Sequence, residues 1–263
     1  NAARFNEDIA ATCGDSVVSA FLIVDGDMPV EECGNMLILM AAISKKDGNV
    51  DFAKEYINEL EQWNKYLVKY GLDPEEQLCT DDFAGRLSHN CNLSIKAIMG
   101  MEGFAYILSQ LGRKNEAEEL ENLVRKYANS FEKRAKNADG SYRLAYDKPN
   151  TFSLKYNAVW DKVWGTGIFS NEFYKGEIKR YKSEALPYGI PLDSREKYTK
   201  SDWLSWVACF DKTEFESIIN LLWDAYNTTR DNVAMTDWYY ADTAQYRMFK
   251  HRSAIGGLFM GLL

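Results

Sequence analysis

Two kinds of helical segment alternate along this chain, and their alternation limits the folds open to it more than any other feature. "GNMLILMAAISKKDGN" is apolar on nearly every side and stops at Asp47-Gly48. "DFAKEYINELEQWNKYLVKYG" follows, with Phe52, Tyr56, Leu60, Trp63, Leu67 and Tyr70 at three-to-four spacing, charges between them and Gly71 as its stop. The pattern repeats in "NLSIKAIMGMEGFAYILSQLG" and "NEAEELENLVRKYANSFEKRAKN", then more weakly in "YNAVWDKVWGTGIF" and "NEFYKGEIKRYKSEA", and in "SDWLSWVACF" and "TEFESIINLLWDAYNTT". The chain closes on apolar "SAIGGLFMGLL". A helix apolar all round is buried and an amphipathic one covers it, so the pattern predicts helical hairpins in two layers. Spacings of about 45 to 70 residues are too uneven for a consensus solenoid. An all-α toroid of inner and outer helices fits better. Five inner helices are evident, and residues 1–26 would supply part of a first hairpin. Only "DGSYRLAYD" reads as a short strand or hairpin segment.

The connections are asymmetric. Those from inner to outer helices are short: "SKKDGN", "GRKN" and "FDKT". Those from outer to inner helices are long, running from "DGDMPVEECGN" and "GLDPEEQLCTDDFAGRLSHN" to "RDNVAMTDWYYADTAQYRMFKHR". Parallel inner helices would place every long connection at one end, where loops on a rigid scaffold concentrate function.

Those loops carry Glu31-Glu32, Asp81-Asp82, Asp161, Asp202 and Asp237 at or just before the inner helices. Acidic residues there also cap free N–H groups and face the positive end of the helix dipole. Adjacent carboxylates do more, because crowding raises one pKa while its neighbour stays ionised. Amide hydrolysis and glycoside hydrolysis both use such a pair. His89 could orient a carboxylate or relay a proton. Asn35, Asn90 and Asn92 offer amide groups to a polar ligand, and Asn90 also suits a helix N-cap. Trp160, Trp203 and Trp238, with Trp164 and Trp206, would line a pocket or fill the core. Lys200 and Arg252 could clamp a substrate carboxylate.

Composition trims the alternatives. A net charge of −8, a pI near 5.0 and no basic stripe argue against a nucleic-acid partner. No apolar run is long enough to span a membrane. Five cysteines without CxxC spacing read as free thiols rather than a metal site, and no metal or cofactor is expected. The S-x-x-K matches at Ser130–Lys133 and Ser194–Lys197 lie at no convincing buried helix start, and no P-loop, G-x-S-x-G or HExxH occurs.

"MPVEECGNMLIL", "GLDPEEQLCTDDFAGRLSHNCNLSIKAI", "KYNAVWDKVWG", "YGIPLDSREKYTKSDWLSW" and "MTDWYYADTAQYRMFKHRSAIGGLFM" resemble, in order, the glutaminase A family of fungi and Bacteroides-type bacteria. The resemblance runs from about Asp27 to the end. It implies the six-helical-hairpin (α/α) toroid over residues 27–263, glutamine hydrolysis to glutamate and ammonia, and a secreted or periplasmic setting. It also implies packing against an upstream β-rich domain. Arg86 stands where the family usually has histidine, and Ser88 where it has alanine. Residues 1–26 do not match the family's segment before "MPVEE", so a fragment or an altered first hairpin is expected. On this reading Asp82 or Glu32 activates water, Asp81 or Glu31 tunes it, and His89 orients or relays. Asn35, Asn90, Asn92, Trp160, Lys200, Asp202, Trp203, Asp237, Trp238 and Arg252 bind a small polar substrate. The alternatives are a glycosidase using the same carboxylates and a non-catalytic helical module.

Overall fold

Helices make up most of the backbone in the computed structural model, which describes residues 26–230 and 234–263. The expectation for the segment before Gly26 lies outside the described residues. Two three-residue strands are the only ones among the described residues, so the all-α expectation holds. The chain divides into two compact units, Asn1–Glu121 and Asn122–Leu263.

In the first unit, α1 (Pro29–Asp47) begins with proline in its first turn beside Glu31 and Glu32. It ends with Lys45 and Lys46 before Gly48, whose φ of 68° is the left-handed stop expected of Asp47-Gly48. Segment 51–71 forms two helices, α2 (Asp51–Glu55) and α3 (Ile57–Tyr70), broken at Tyr56. Gly71 is not left-handed (φ −77°); a Cβ there would lie 2.5 Å from that of Ala97. Its glycine therefore serves close packing rather than a turn. Helix α4 (Cys91–Gln110) buries 16 of its 20 residues, the mark of a true inner helix. It packs on α1 and α3. The α1–α4 crossing is tight because Gly34 and Gly100 face each other, and a Cβ on Gly100 would stand 3.1 Å from Gly34 Cα.

The boundary between the units falls within α5 (Lys114–Ala135). Its buried stripe, Ala117, Leu120, Val124, Ala128, Phe131 and Ala135, follows the three-to-four spacing of a covering helix. In the second unit the expected inner helix at 156–169 is short. A 3₁₀ turn at Tyr156–Ala158 leads into α6 (Val159–Trp164), which stops at left-handed Gly165. Asp161 then gathers the exit loop, accepting hydrogen bonds from Ile168 N (2.8 Å), Phe169 N (3.3 Å), Thr166 Oγ1 (2.6 Å) and Tyr174 OH (2.6 Å). Helix α7 (Asn171–Glu184) is capped by Ser170. Helices α8 (Ser201–Ala208) and α9 (Phe215–Thr228) follow.

Three sequence expectations are corrected. "DGSYRLAYD" forms turns and isolated bridges instead of a strand, among them Lys136 with Tyr142. The strands are β1 (Tyr198–Lys200) and β2 (Trp238–Tyr240), antiparallel with Lys200 opposite Trp238. Both lie in stretches read as loops, where aromatic and β-branched residues favour pairing once a partner is present. The closing apolar segment is a 3₁₀ helix (Ser253–Leu262) rather than an α-helix, and it packs on α8. Its glycines allow that approach: a Cβ on Gly257 would lie 2.7 Å from Asp202 Cβ.

Within each unit the long connections do lie together. In the first, Leu78 N bonds Asp27 O (3.1 Å) and Val30 N bonds Gln77 Oε1 (2.9 Å), so the loop before α4 rests on the start of α1. In the second, Leu154 N bonds Leu192 O (2.8 Å), and Tyr188 N and Lys197 O both bond Ala241 (2.9 Å each), lacing three loops together.

Candidate functional site

Glu31 lies in the first turn of α1 and is 2% exposed. Burying a carboxylate demands compensation, and three donors supply it at one oxygen. Lys96 Nζ stands 3.1 Å from Glu31 Oε1, Asn35 Nδ2 donates to it at 3.0 Å, and Thr80 Oγ1 donates at 2.5 Å. Lys96 comes from α4 and also bonds Asn35 Oδ1. Its stem passes Gly34, where any Cβ would meet Lys96 Cγ at 2.5 Å. The other oxygen, Glu31 Oε2, is buried and accepts no hydrogen bond among the described residues.

The electrostatics separate the two glutamates. Burial alone would raise the pKa of Glu31, but the Lys96 charge and the hydrogen bonds from Thr80, Lys96 and Asn35 outweigh it and hold it below the ordinary range. Glu32, half-buried, is raised by its own burial and by the Glu31 charge. The next residue, Cys33, is pushed up to about 12 by burial and Glu32. The two shifts thus run in opposite directions, the separation by which paired carboxylates divide acid and base roles.

The other expected residues of this unit take different places. Asp81 is buried; Asp82 is exposed and starts a 3₁₀ turn, Asp82–Ala84. His89 has φ 61° and pairs through Nδ1 with Asp73 at 2.7 Å, its side chain 45% exposed. The expected support of Asp81-Asp82 by His89 gives way to this local pair. Asn90 is the N-cap of α4, accepting from Leu93 N at 3.1 Å. Asn92 is buried in the first turn of α4.

Lys96 and Thr80 escaped sequence reasoning. Lys96 had a signal, since a single lysine interrupts the otherwise apolar "NLSIKAIMGM" and a buried ammonium needs a buried partner. Thr80 had none, because its partner lies 49 residues away.

In the second unit, strand pairing brings Lys200 to Asp237, with Asp202 Oδ1 at 3.6 Å from the same ammonium. Arg252 approaches Asp237 Oδ2 at 3.4 Å, with 46% of its side chain exposed. Asp237 Oδ1 is buried without a hydrogen-bond partner among the described residues. The mixed charge expected of Lys200, Asp202, Asp237 and Arg252 is therefore present, and it ties β1, α8 and the 230–252 connection together. The indoles turn toward one another. Trp203 stacks on Tyr156 with centroids 4.0 Å apart and meets Trp206 edge-on at 4.9 Å. Trp160 meets Trp206 edge-on at 5.7 Å. Trp238 packs edge-on with Tyr198 at 5.3 Å under the Arg247 guanidinium.

Among the described residues Cys33 and Cys209 are free thiols. No described helix is long and apolar enough to cross a membrane.

Comparison with known proteins agrees with the motif reading. The chain is 31% identical over 249 residues to "Glutaminase A" of Aspergillus oryzae, an alignment covering 91% of this chain and 36% of that protein. It is 30% identical over 170 residues to a protein of Arthroderma benhamiae whose name reads "Probable glutaminase", covering 54% of this chain and 20% of that one. The chain thus spans about a third or less of the length of these relatives. The family described as "Glutaminase A six helical-hairpin domain" matches residues 14–262, beginning inside the segment read as atypical. The chain belongs to the glutaminase A six-helical-hairpin domain family.

Proposed function

We propose that this protein is a glutaminase-type hydrolase that cleaves the carboxamide of glutamine to a carboxylate and ammonia, with its acid–base centre at the start of α1. The carrying observation is the divergence of Glu31 and Glu32, one held ionised by buried Lys96 and the other pushed toward its protonated form. Two curated relatives named as glutaminases support the choice of an amide over other substrates.

In the proposed reaction an oxygen nucleophile attacks the amide carbon as its proton passes to Glu31. The tetrahedral intermediate expels the amide nitrogen, which takes a proton from Glu32 and leaves as ammonia. Glu32 suits the acid because its raised pKa keeps more of it protonated near neutrality than an ordinary glutamate. Glu31 suits the base because its charge persists to lower pH than that of an ordinary glutamate; its lowered pKa makes it a weak base, so proton transfer has to accompany carbon–oxygen bond formation. The sequence reading gave the base role to Asp82 or Glu32; here Glu31 takes it and Glu32 becomes the acid, while Asp82 is exposed.

Ammonia release from L-glutamine by the protein and by Glu31→Gln tests this. A fall of about 10²–10⁴-fold is expected from loss of a general base. Undiminished release from a folded Glu31→Gln would refute the assignment, and no release by the wild type would refute the amide reading.

A further inference from the structure

Hydroxyls that touch carboxylates recur in this chain, and most have a local structural purpose. Ser141 bonds Asp139 and Thr213 bonds Asp211, each two residues apart in a turn. Ser170 bonds Glu132 while capping α7 through Phe173 N. Thr80 differs in three ways. Its hydroxyl joins a carboxylate 49 residues away; the residue is exposed while Glu31 is buried; and Glu31 is itself clamped by the ammonium of Lys96 and the amide of Asn35. Glu31 also keeps one buried oxygen without a hydrogen bond.

We infer that Thr80 is a covalent nucleophile, with Glu31 its base and Lys96 and Asn35 the residues that hold that base in place. A hydroxyl is a poor nucleophile until a base within hydrogen-bond reach, itself oriented by a third group, takes its proton. Thr80 Oγ1 to Glu31 Oε1 at 2.5 Å and Glu31 to Lys96 at 3.1 Å meet that geometric requirement. The exposed position lets an acyl donor reach Oγ1 while the base stays out of water, where its charge is least screened.

The inference deepens the proposed glutaminase reading by naming its nucleophile. Thr80 Oγ1 bonds to the amide carbon as its proton passes to Glu31. The carbon–nitrogen bond breaks, the nitrogen takes a proton from Glu32, and ammonia leaves behind a γ-glutamyl ester on Thr80. Before deacylation the proton on Glu31 passes through solvent to ionised Glu32, which restores both groups; water then attacks the ester carbon and gives a proton to the Glu31 carboxylate. The carbon–Oγ1 bond breaks as Oγ1 takes that proton back from Glu31, and glutamate departs with both glutamates in their starting states.

Two acylating probes test it on the protein: a diazoketone analogue of glutamine, and p-nitrophenyl acetate, which needs no glutamine recognition. Intact mass and peptide mapping read the adduct, and ammonia release is followed in parallel. One covalent equivalent on Thr80 is expected with at least one probe. Thr80→Val should lose the adduct and at least about 10³-fold of the ammonia release, while Thr80→Ser keeps both within about tenfold. Both variants should melt within a few degrees of the wild type, which separates chemistry from folding. Absence of any adduct on Thr80 in the wild type, or ammonia release by Thr80→Val above one tenth of wild type, would overturn the nucleophile. An acetyl adduct on Thr80 with no ammonia from glutamine would support the nucleophile and refute the glutamine reading, so the two fail separately.

Discussion

Replacing Lys96 with methionine probes the centre where its chemistry and its folding meet. Methionine keeps most of the apolar stem that passes Gly34, so the change removes charge with little loss of packing. The side chains of Lys96 and Glu31 are 6% and 3% exposed, too deep for water to take over the abandoned carboxylate. Removing one partner of a buried pair costs about 3–5 kcal/mol, a large share of the roughly 5–15 kcal/mol that a folded domain holds in reserve. Glu31 would lose the charge and the hydrogen bond of Lys96 that lower its pKa and would shift upward, with only Thr80 and Asn35 left to oppose its burial. Urea unfolding followed by far-ultraviolet circular dichroism reads the effect, since the slope and midpoint give the lost stability. Pairing the change with Glu31→Gln should recover part of the loss, with a coupling of about 1–3 kcal/mol. A loss below about 1 kcal/mol for Lys96→Met, with no coupling, would show that the pair behaves as a solvated surface bridge and would remove the basis for a locked base.

Asn90→Ala removes the hydrogen bond to Leu93 N and should cost about 1 kcal/mol, read as a lower urea midpoint in the same assay. Gly257→Ala drives a methyl against Asp202 and should cost about 1–3 kcal/mol while raising hydrogen exchange across residues 253–262. The pH dependence follows from two opposite shifts. The depressed Glu31 contributes stability that is complete above the ordinary glutamate pKa and is lost as pH falls through its lower folded value. The raised Glu32 acts the other way, withdrawing stability as pH rises from the ordinary glutamate pKa through its raised folded value. Activity should accordingly be bell-shaped, its acid limb below the ordinary glutamate range and its alkaline limb above it, and titration of kcat/KM checks both.

Much of this molecule was legible in one dimension because helices are built from contacts three and four residues apart. Alternating periodicity marked α1, α4, α5, α7, α8 and α9, Gly48 marked the end of α1, and Asn90 announced the N-cap of α4. The motif order carried the family. The short α6 was over-read as a long inner helix, since the same apolar residues serve a 3₁₀ turn and a loop gathered by Asp161. Strands β1 and β2 were invisible, because a three-residue strand exists only opposite its partner.

The site divides along the same line. Sequence alone showed that Glu31 and Glu32 stand together at a helix start, and that long loops carry the carboxylates. Tertiary structure decided which carboxylate stays charged, because the decision belongs to Lys96 on another helix and Thr80 in a distant loop. It also left Asp82 exposed and paired His89 with Asp73. Local chemistry is written in neighbouring residues. The state of a buried charge depends on which groups the fold places within a few ångströms of it.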